Sequence, residues 1–145
     1  MNADRIIAAA RGWIGTPYQH QASCKGAGCD CLGLIRGVWR ELYGSEPETP
    51  PPYAMDWAET GGAETMRDAA RRHLQAIAVD AAGPGDVLLF RLLRRGPARH
   101  AGILSGKDTL IHAYSGFAVR EEPLGQWQRR IAFAFRFPAS GASAS

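Results

Sequence analysis

Cysteine is scarce, with three residues in a chain of 145. A small, odd number excludes a disulfide framework as the source of the fold. Long apolar runs are missing too. None approaches the ~20 residues that a membrane-crossing helix needs, so no membrane insertion is expected. The first residues, MNADRIIAAARGWIG, lack the basic start and apolar centre of a secretory signal. The expectation is a protein made in the cytoplasm that could leave by a route needing no signal. Lysine is nearly absent, two against fifteen arginines, and the net charge is only +3. The basic residues are scattered, with pairs at Arg71-Arg72, Arg94-Arg95 and Arg129-Arg130. No stripe of interleaved aromatic and basic residues accompanies them, which argues against a nucleic-acid surface. Mild positive charge suits an anionic polymer or a carboxylate-bearing substrate. Internal repeats are missing as well.

What remains is the composition of a globular domain, 46% hydrophobic and 21% charged, long enough to bury a core. One domain is expected over residues 1–138, followed by a disordered tail, ASGASAS, over 139–145. Asn2 is a plausible cap for a helix that places Ile6, Ile7, Ala10 and Ile14 on one face and stops at Gly15. Residues 15–28 read as a loop. Asp30 caps a second helix with Cys31, Leu34, Ile35, Val38 and Leu42 at helical spacing and Gly44 just past its end. SEPETPPPY is a stiff, extended loop. A third helix is expected over 63–74, with Arg71, Arg72 and a solvated His73 in its last turn.

Beyond that helix the apolar period changes to two. Gly83-Pro84-Gly85-Asp86 is a turn leading into a strand over 87–92. Residues 99–104 and 109–114 read as a hairpin, 117–122 as a further strand. Ile131, Phe133, Phe135 and Phe137 alternate along a closing strand and are expected to share one face. Helices first and strands afterwards give an α+β fold with a central antiparallel sheet. Trp13, Trp39, Trp57 and Trp127 suit core or cleft lining.

Chemistry concentrates at GCDCLGL, residues 28–34. A cysteine attacks as its thiolate, and an unperturbed thiol near pKa ~8.5 holds only a small fraction at neutral pH. Cys31 falls on the first position of the second helix. There the free N–H groups and the dipole are expected to favour the anion and to hold an oxyanion once a carbonyl is attacked. Gly33 blocks nothing near this turn. Such a nucleophile needs a base and an orienting partner. His100 opens HAGIL and His112 sits in LIHAY. A three-residue hairpin loop pivoting at Gly106 would place them directly opposite on one sheet face, whereas a two-residue loop would put them on opposite faces. His20, in the loop before the nucleophile, could bind substrate or simply be exposed. A zinc site is the rival: His20, Cys24, Cys29 and Cys31 are four potential ligands within twelve residues, although C-x4-C-x-C is poor spacing for one. A Cys24–Cys29 disulfide is a further alternative, as are simple loop or packing roles for both.

The series WIGTPYQHQ, GCDCLGL, PGDVLLF, RHAGIL and LIHA resembles the NlpC-type cell-wall cysteine peptidases, over nearly the whole chain. The resemblance implies a reduced papain-like fold, Cys31 as nucleophile, His100 as base and His112 as its orienter. It implies substrate binding by Tyr18 and Asp30, and no cofactor or metal. It implies hydrolysis of peptide stems of bacterial peptidoglycan, between D-glutamate and a diamino acid. The short form, with GVWRELYG and a proline-rich loop, is most similar to the subgroup in phage tails and gene transfer agents. Phage-like tail proteins would then be partners, with action at the cell wall in the periplasm after delivery by a particle. Leu32 stands where that family usually has Ser. A thiol amidase or acyl transferase would use the same three residues on another substrate.

Overall fold

The computed structural model describes residues 2–46 and 64–139. Trp57, most of the proline-rich loop, Ala63 and nearly all of the tail lie outside them. Helix α1 (Ala3–Arg11) starts where Asn2 accepts the Asp4 N–H at 2.6 Å. It ends earlier than expected. Past Arg11 the bonds tighten to i→i+3, Trp13 N–H to the Ala10 carbonyl and Ile14 N–H to that of Arg11. The tighter turn swings Trp13 into the core and leaves Ile14 45% exposed, contrary to its expected place on the apolar face. Helix α2 (Cys31–Tyr43) follows the expected pattern, from the Asp30 cap to Gly44 at φ +94°, whose N–H reaches the Arg40 carbonyl. Gly37 on this helix is required by packing: a Cβ there would lie 2.0 Å from the Trp13 ring. Helix α3 (Thr65–His73) ends in Arg71, Arg72 and His73. His73 is not solvated as expected; it is half-buried, with its ring edge toward Trp39.

The expected loop over 15–28 contains a small hairpin, β1 (Ser23–Cys24) and β2 (Gly28–Cys29). The main sheet comprises β3 (Gln75–Ile77), β4 (Val87–Arg91), β5 (Ala98–Leu104), β6 (Thr109–His112), β7 (Arg120–Pro123) and β8 (Ile131–Arg136), in the order β3-β8-β4-β5-β6-β7. Every pairing is antiparallel. One face, with Val87, Leu89, Ala101, Ile103, Ile111 and Phe135, packs on the helices through Ile6, Trp13, Leu34 and Val38. The other, with Leu88, Phe90, Leu104, Leu110 and Ala134, is covered by Leu124 and Trp127. Full burial of such side chains contributes ~1.5–3 kcal/mol each, so two faces of one sheet anchor both halves of the chain. Asp86 does more than turn the chain: it accepts the Gly83 N–H and a two-pronged bond from Arg136 on β8.

Two bulges reset the alternation. One in β8 places Ile131 with Leu88 and Phe90, while Phe133, Phe135 and Phe137 face the helices, so the expected single apolar face is broken after its first member. The other precedes His100 in β5: Ala98 packs with the helices, whereas His100, two residues on, lies on the opposite face against Phe90. The β5–β6 hairpin does have three residues between its last bonded pair, Ser105 and Thr109. Its pivot is Lys107 rather than Gly106, since Leu104 pairs with Leu110 and Ile103 with Ile111. His100 and His112 are therefore diagonal, not directly opposite. A two-residue slip keeps both on one face because side chains alternate with period two.

Candidate active site

The nucleophile candidate sits where helix and sheet meet. Asp30 is extended, and its Oδ1 accepts the Gly33 N–H at 2.7 Å, fixing the first turn of α2 with Cys31 at its start. Cys31 Sγ accepts backbone hydrogen bonds from Leu32 on its own helix and from Ala101 on β5. Sheet geometry explains the second. Ser105 N–H points toward β6 and Leu104 N–H toward the β4 side, so by alternation Ala101 N–H points toward β6. The β5–β6 ladder ends at Ile103–Ile111, and the thiol occupies the opening beyond it.

The loop before α2 is folded onto this turn. Gln21 has φ +65°, a conformation that costs ~1 kcal/mol or more for a residue with a side chain. Its N–H donates to Asp30 Oδ2 at 2.8 Å. The His20 Nδ1 lies 3.9 Å from the same oxygen. Tyr18 runs beside Cys29, with Gln19 N–H on the Cys29 carbonyl and Cys29 N–H on that of Pro17. Gly33 is needed here for a reason other than an open approach: a Cβ would lie 1.9 Å from the Ala22 carbonyl oxygen.

On the sheet, His100 Nε2 is 2.8 Å from His112 Nδ1, and His112 Nε2 is 2.5 Å from Glu122 Oε2 on β7. Arg120 Nε bonds the same carboxylate oxygen at 3.0 Å. Gly102 stands opposite His112; a Cβ there would press on Leu110 and the His112 Cβ, so glycine gives the imidazole its space. Trp127 covers both imidazoles, 4.7 Å from the His100 ring centroid and 5.5 Å from that of His112. Tyr114 meets His100 edge-on. Beyond it a cleft of about 320 Å³ is lined by Leu92, Tyr114, Gln126, Trp127 and Arg130.

The surroundings of the thiol oppose the anion that the helix terminus favours. Burial pushes the Cys31 thiol up to about 12, and the Asp30 charge adds to this, outweighing the two N–H bonds that favour the anion. Burial, and then the neighbouring His112, hold His100 well below the usual imidazole range. His112 is lowered by burial, partly opposed by Glu122. Tyr18 is pushed up to about 12 by burial and by the nearby Cys31, Asp30, Cys29 and Tyr114, so its hydroxyl stays a donor. The thiol and both imidazoles are thus neutral at rest.

The cysteine cluster does not assemble a metal centre. Ser23 pairs with Cys29 and Cys24 with Gly28, so Cys24 and Cys29 project to opposite sides of their hairpin. Cys24 is exposed, Cys29 is buried, and all three thiols are free. Among the described residues no group of three or more His, Cys, Asp or Glu is placed to hold a metal ion. The same geometry denies the Cys24–Cys29 disulfide.

A family model described as the NlpC/P60 family matches residues 15–136. The chain belongs to the NlpC/P60 family. Its enzyme class is accordingly that of a cysteine peptidase. The NlpC/P60 domain of the peptidoglycan hydrolase SagA has a similar structure, with a TM-score of 0.65, 26% identity, and coverage of 94% of this chain and 100% of that one. NlpC2 from Trichomonas vaginalis superposes with a TM-score of 0.68 at 21% identity, over 93% of this chain and 46% of that one. The peptidoglycan hydrolase RipB from Mycobacterium tuberculosis gives 0.60 at 18% identity, over 92% and 63%. This chain thus spans less than two thirds of either of these two relatives. No curated protein matches it. The reduced papain-like arrangement, helices on an antiparallel sheet, is shared with these structures.

Within this NlpC/P60 domain, the six residues singled out from sequence fall into two groups. Cys31, Asp30, Tyr18 and His20 cluster at the start of α2, and His100 and His112 pair on the sheet. The Ala101 N–H links the groups at the residue after His100. Both Asp30 oxygens serve backbone N–H groups, which makes this side chain the organiser of the loop carrying Tyr18 and His20. Glu122 and Tyr114 escaped the sequence reading, and Trp127 lines the cleft, one of the two places expected for it. The alternation of Arg120 and Glu122 in REEP was the one available signal, and it needed the β6–β7 register to mean anything.

Proposed function

We propose that this NlpC/P60 domain hydrolyses peptide stems of bacterial peptidoglycan, with Cys31 as nucleophile, His100 as general base and then acid, and His112 as orienter. The observation that carries the reading is the Cys31 sulfur bonded to the N–H beside His100, itself hydrogen-bonded to His112. His100 takes the thiol proton as sulfur attacks the amide carbonyl carbon. A neutral pair that ionises only during attack needs no standing thiolate. The backbone N–H of Cys31, at the start of α2, holds the oxyanion. Collapse breaks the C–N bond, and His100 gives its proton to the leaving amine. Water then attacks the thioester, His100 accepting a proton from it, and releases the acid and the thiol.

Tyr18 donates from its hydroxyl to the acyl part of the stem, with His20 beside it. Asp30 acts on the substrate through the loop it holds. The cleft past Tyr114 and Trp127 flanks the side of His100 where the leaving amine departs. The net charge of +3 favours an anionic polymer. The finer reading is cleavage between D-glutamate and a diamino acid, by a component of a phage-like tail that opens the wall during DNA delivery. What supports it is the order of the sequence motifs, with GVWRELYG and the proline-rich loop behind them. The test is mass spectrometry of peptidoglycan fragments after digestion with wild type and with Cys31→Ala. New stem fragments from wild type alone are expected, with masses that name the bond. A transferred acyl group, or intact stems, would refute stem hydrolysis.

A further inference from the structure

We infer that Glu122 is a positioning residue for this site: its carboxylate fixes the tautomer of His112 and, through it, leaves His100 Nδ1 as the bare nitrogen that takes the thiol proton. The inference rests on the proposed roles of Cys31 and His100 and adds a fourth member, Glu122, to which the sequence analysis gave no role.

The argument is a proton count. A carboxylate only accepts, so the proton in the 2.5 Å contact with Glu122 belongs to His112 Nε2. His112 is 1% exposed and its burial disfavours the charged imidazolium, so the ring carries that one proton and its Nδ1 is a lone pair. The 2.8 Å contact with His100 then needs a proton from His100 Nε2. His100 is also buried and neutral, which leaves Nδ1 bare. Reversing the chain would place a proton on His100 Nδ1 and remove the base. Only the acceptor at Glu122 breaks the symmetry between the two tautomers.

The surroundings keep Glu122 an acceptor. Burial works to raise its carboxyl, but the hydrogen bonds from His112 and Arg120 and the Arg120 charge outweigh this and hold it below its ordinary value. Arg120 approaches from the same strand and stacks its guanidinium over Phe117, 4.2 Å from the ring centroid. From β5 and β6 the titratable groups on this face are His100, His112 and Tyr114; Trp127 and Phe90 add uncharged cover. Glu121, the preceding residue, points away to Arg11 on α1. Alternation along β7 thus gives one glutamate to a tie with α1 and the other to the histidines.

The experiment reads nitrogen-15 imidazole spectra of the full chain, with no substrate present, for wild type, Glu122→Gln and Glu122→Ala. Wild type is expected to show His100 and His112 protonated at Nε2. Glu122→Ala should give mixed tautomers at both rings, kcat lowered ~10–100-fold and KM within about twofold. Glu122→Gln retains a carbonyl acceptor and should keep the wild-type tautomers with a smaller loss; if the alanine variant fails to fold, the wild-type tautomers carry the test. A wild-type His112 protonated at Nδ1, or unchanged tautomers in folded Glu122→Ala, would overturn the inference. Expected tautomers in a wild type that leaves stem peptides intact would count against the proposed function instead.

Discussion

Replacing Asp30 by Asn separates two jobs that one carboxylate performs. Its oxygens accept N–H bonds from Gly33 at 2.7 Å and from Gln21 at 2.8 Å. Asparagine offers one carbonyl and one amide NH2. It caps helices about as well as aspartate, so the carbonyl is expected to stay with Gly33. The NH2 then confronts the Gln21 N–H, donor against donor, at a residue already held at φ +65°. Losing a charge-assisted bond of this kind costs ~1.5–3 kcal/mol. With a urea slope of about 1–3 kcal/mol per molar, the denaturation midpoint should fall by roughly 1 M. The second effect runs the other way. The Asp30 charge helps push the Cys31 thiol up, so removing it lowers that pKa and favours the thiolate. Alkylation of Cys31 by iodoacetamide at fixed pH should therefore be faster in Asp30→Asn than in wild type. A less stable protein with a more reactive thiol is the expected combination. An unchanged midpoint with unchanged or slower alkylation would refute the reasoning about both oxygens and the charge.

Three further outcomes follow from the same geometry. The folded pKa values of His100 and His112 lie below the ordinary imidazole value of 6.5, so above that pH both rings are neutral in the folded and the unfolded chain and add no slope to stability. As pH falls below 6.5 the unfolded chain binds protons that the folded chain resists, and the urea midpoint should drop between pH 6.5 and 5, before the glutamates protonate. By the same shift kcat/KM should pass through pH 6.5 without an acid fall; a half-loss there would place the base elsewhere. Gly33→Ala puts a Cβ 1.9 Å from the Ala22 carbonyl oxygen, between two backbones that cannot yield cheaply. A loss of about 3 kcal/mol is expected by thermal denaturation, with hydrolysis lost as the loop and the first turn of α2 part. Wild-type stability in this variant would contradict the packing described.

Local signals were legible in the sequence and register was not. The Asp30 cap, the apolar stripe from Leu34 to Val38 and the positive φ of Gly44 depend on neighbours within a few residues, and α2 formed as read. The period-two strands were also legible, because alternation is local. The bulges were not, since each depends on the strand alongside; hence Ile131 changed faces and the Lys107 pivot made the histidines diagonal. Cys31, His100 and His112 could be proposed because motif order carries chemistry across the chain. Glu122 could not, because its meaning comes only from β7 lying beside β6. The ionisation of Cys31 was not legible for a related reason: the helix terminus that favours the anion is visible in sequence, but the burial that opposes it is tertiary.

The most direct measurement is the intact mass of the protein, quenched in acid during turnover of a purified stem peptide and then mapped by digestion. The account predicts an added mass equal to the acyl fragment of the peptide, carried as a thioester on Cys31 in wild type and missing from Cys31→Ala. Fragments released while Cys31 stays unmodified in every quench, or an adduct on Cys24 or Cys29 instead, would contradict nucleophilic attack by Cys31.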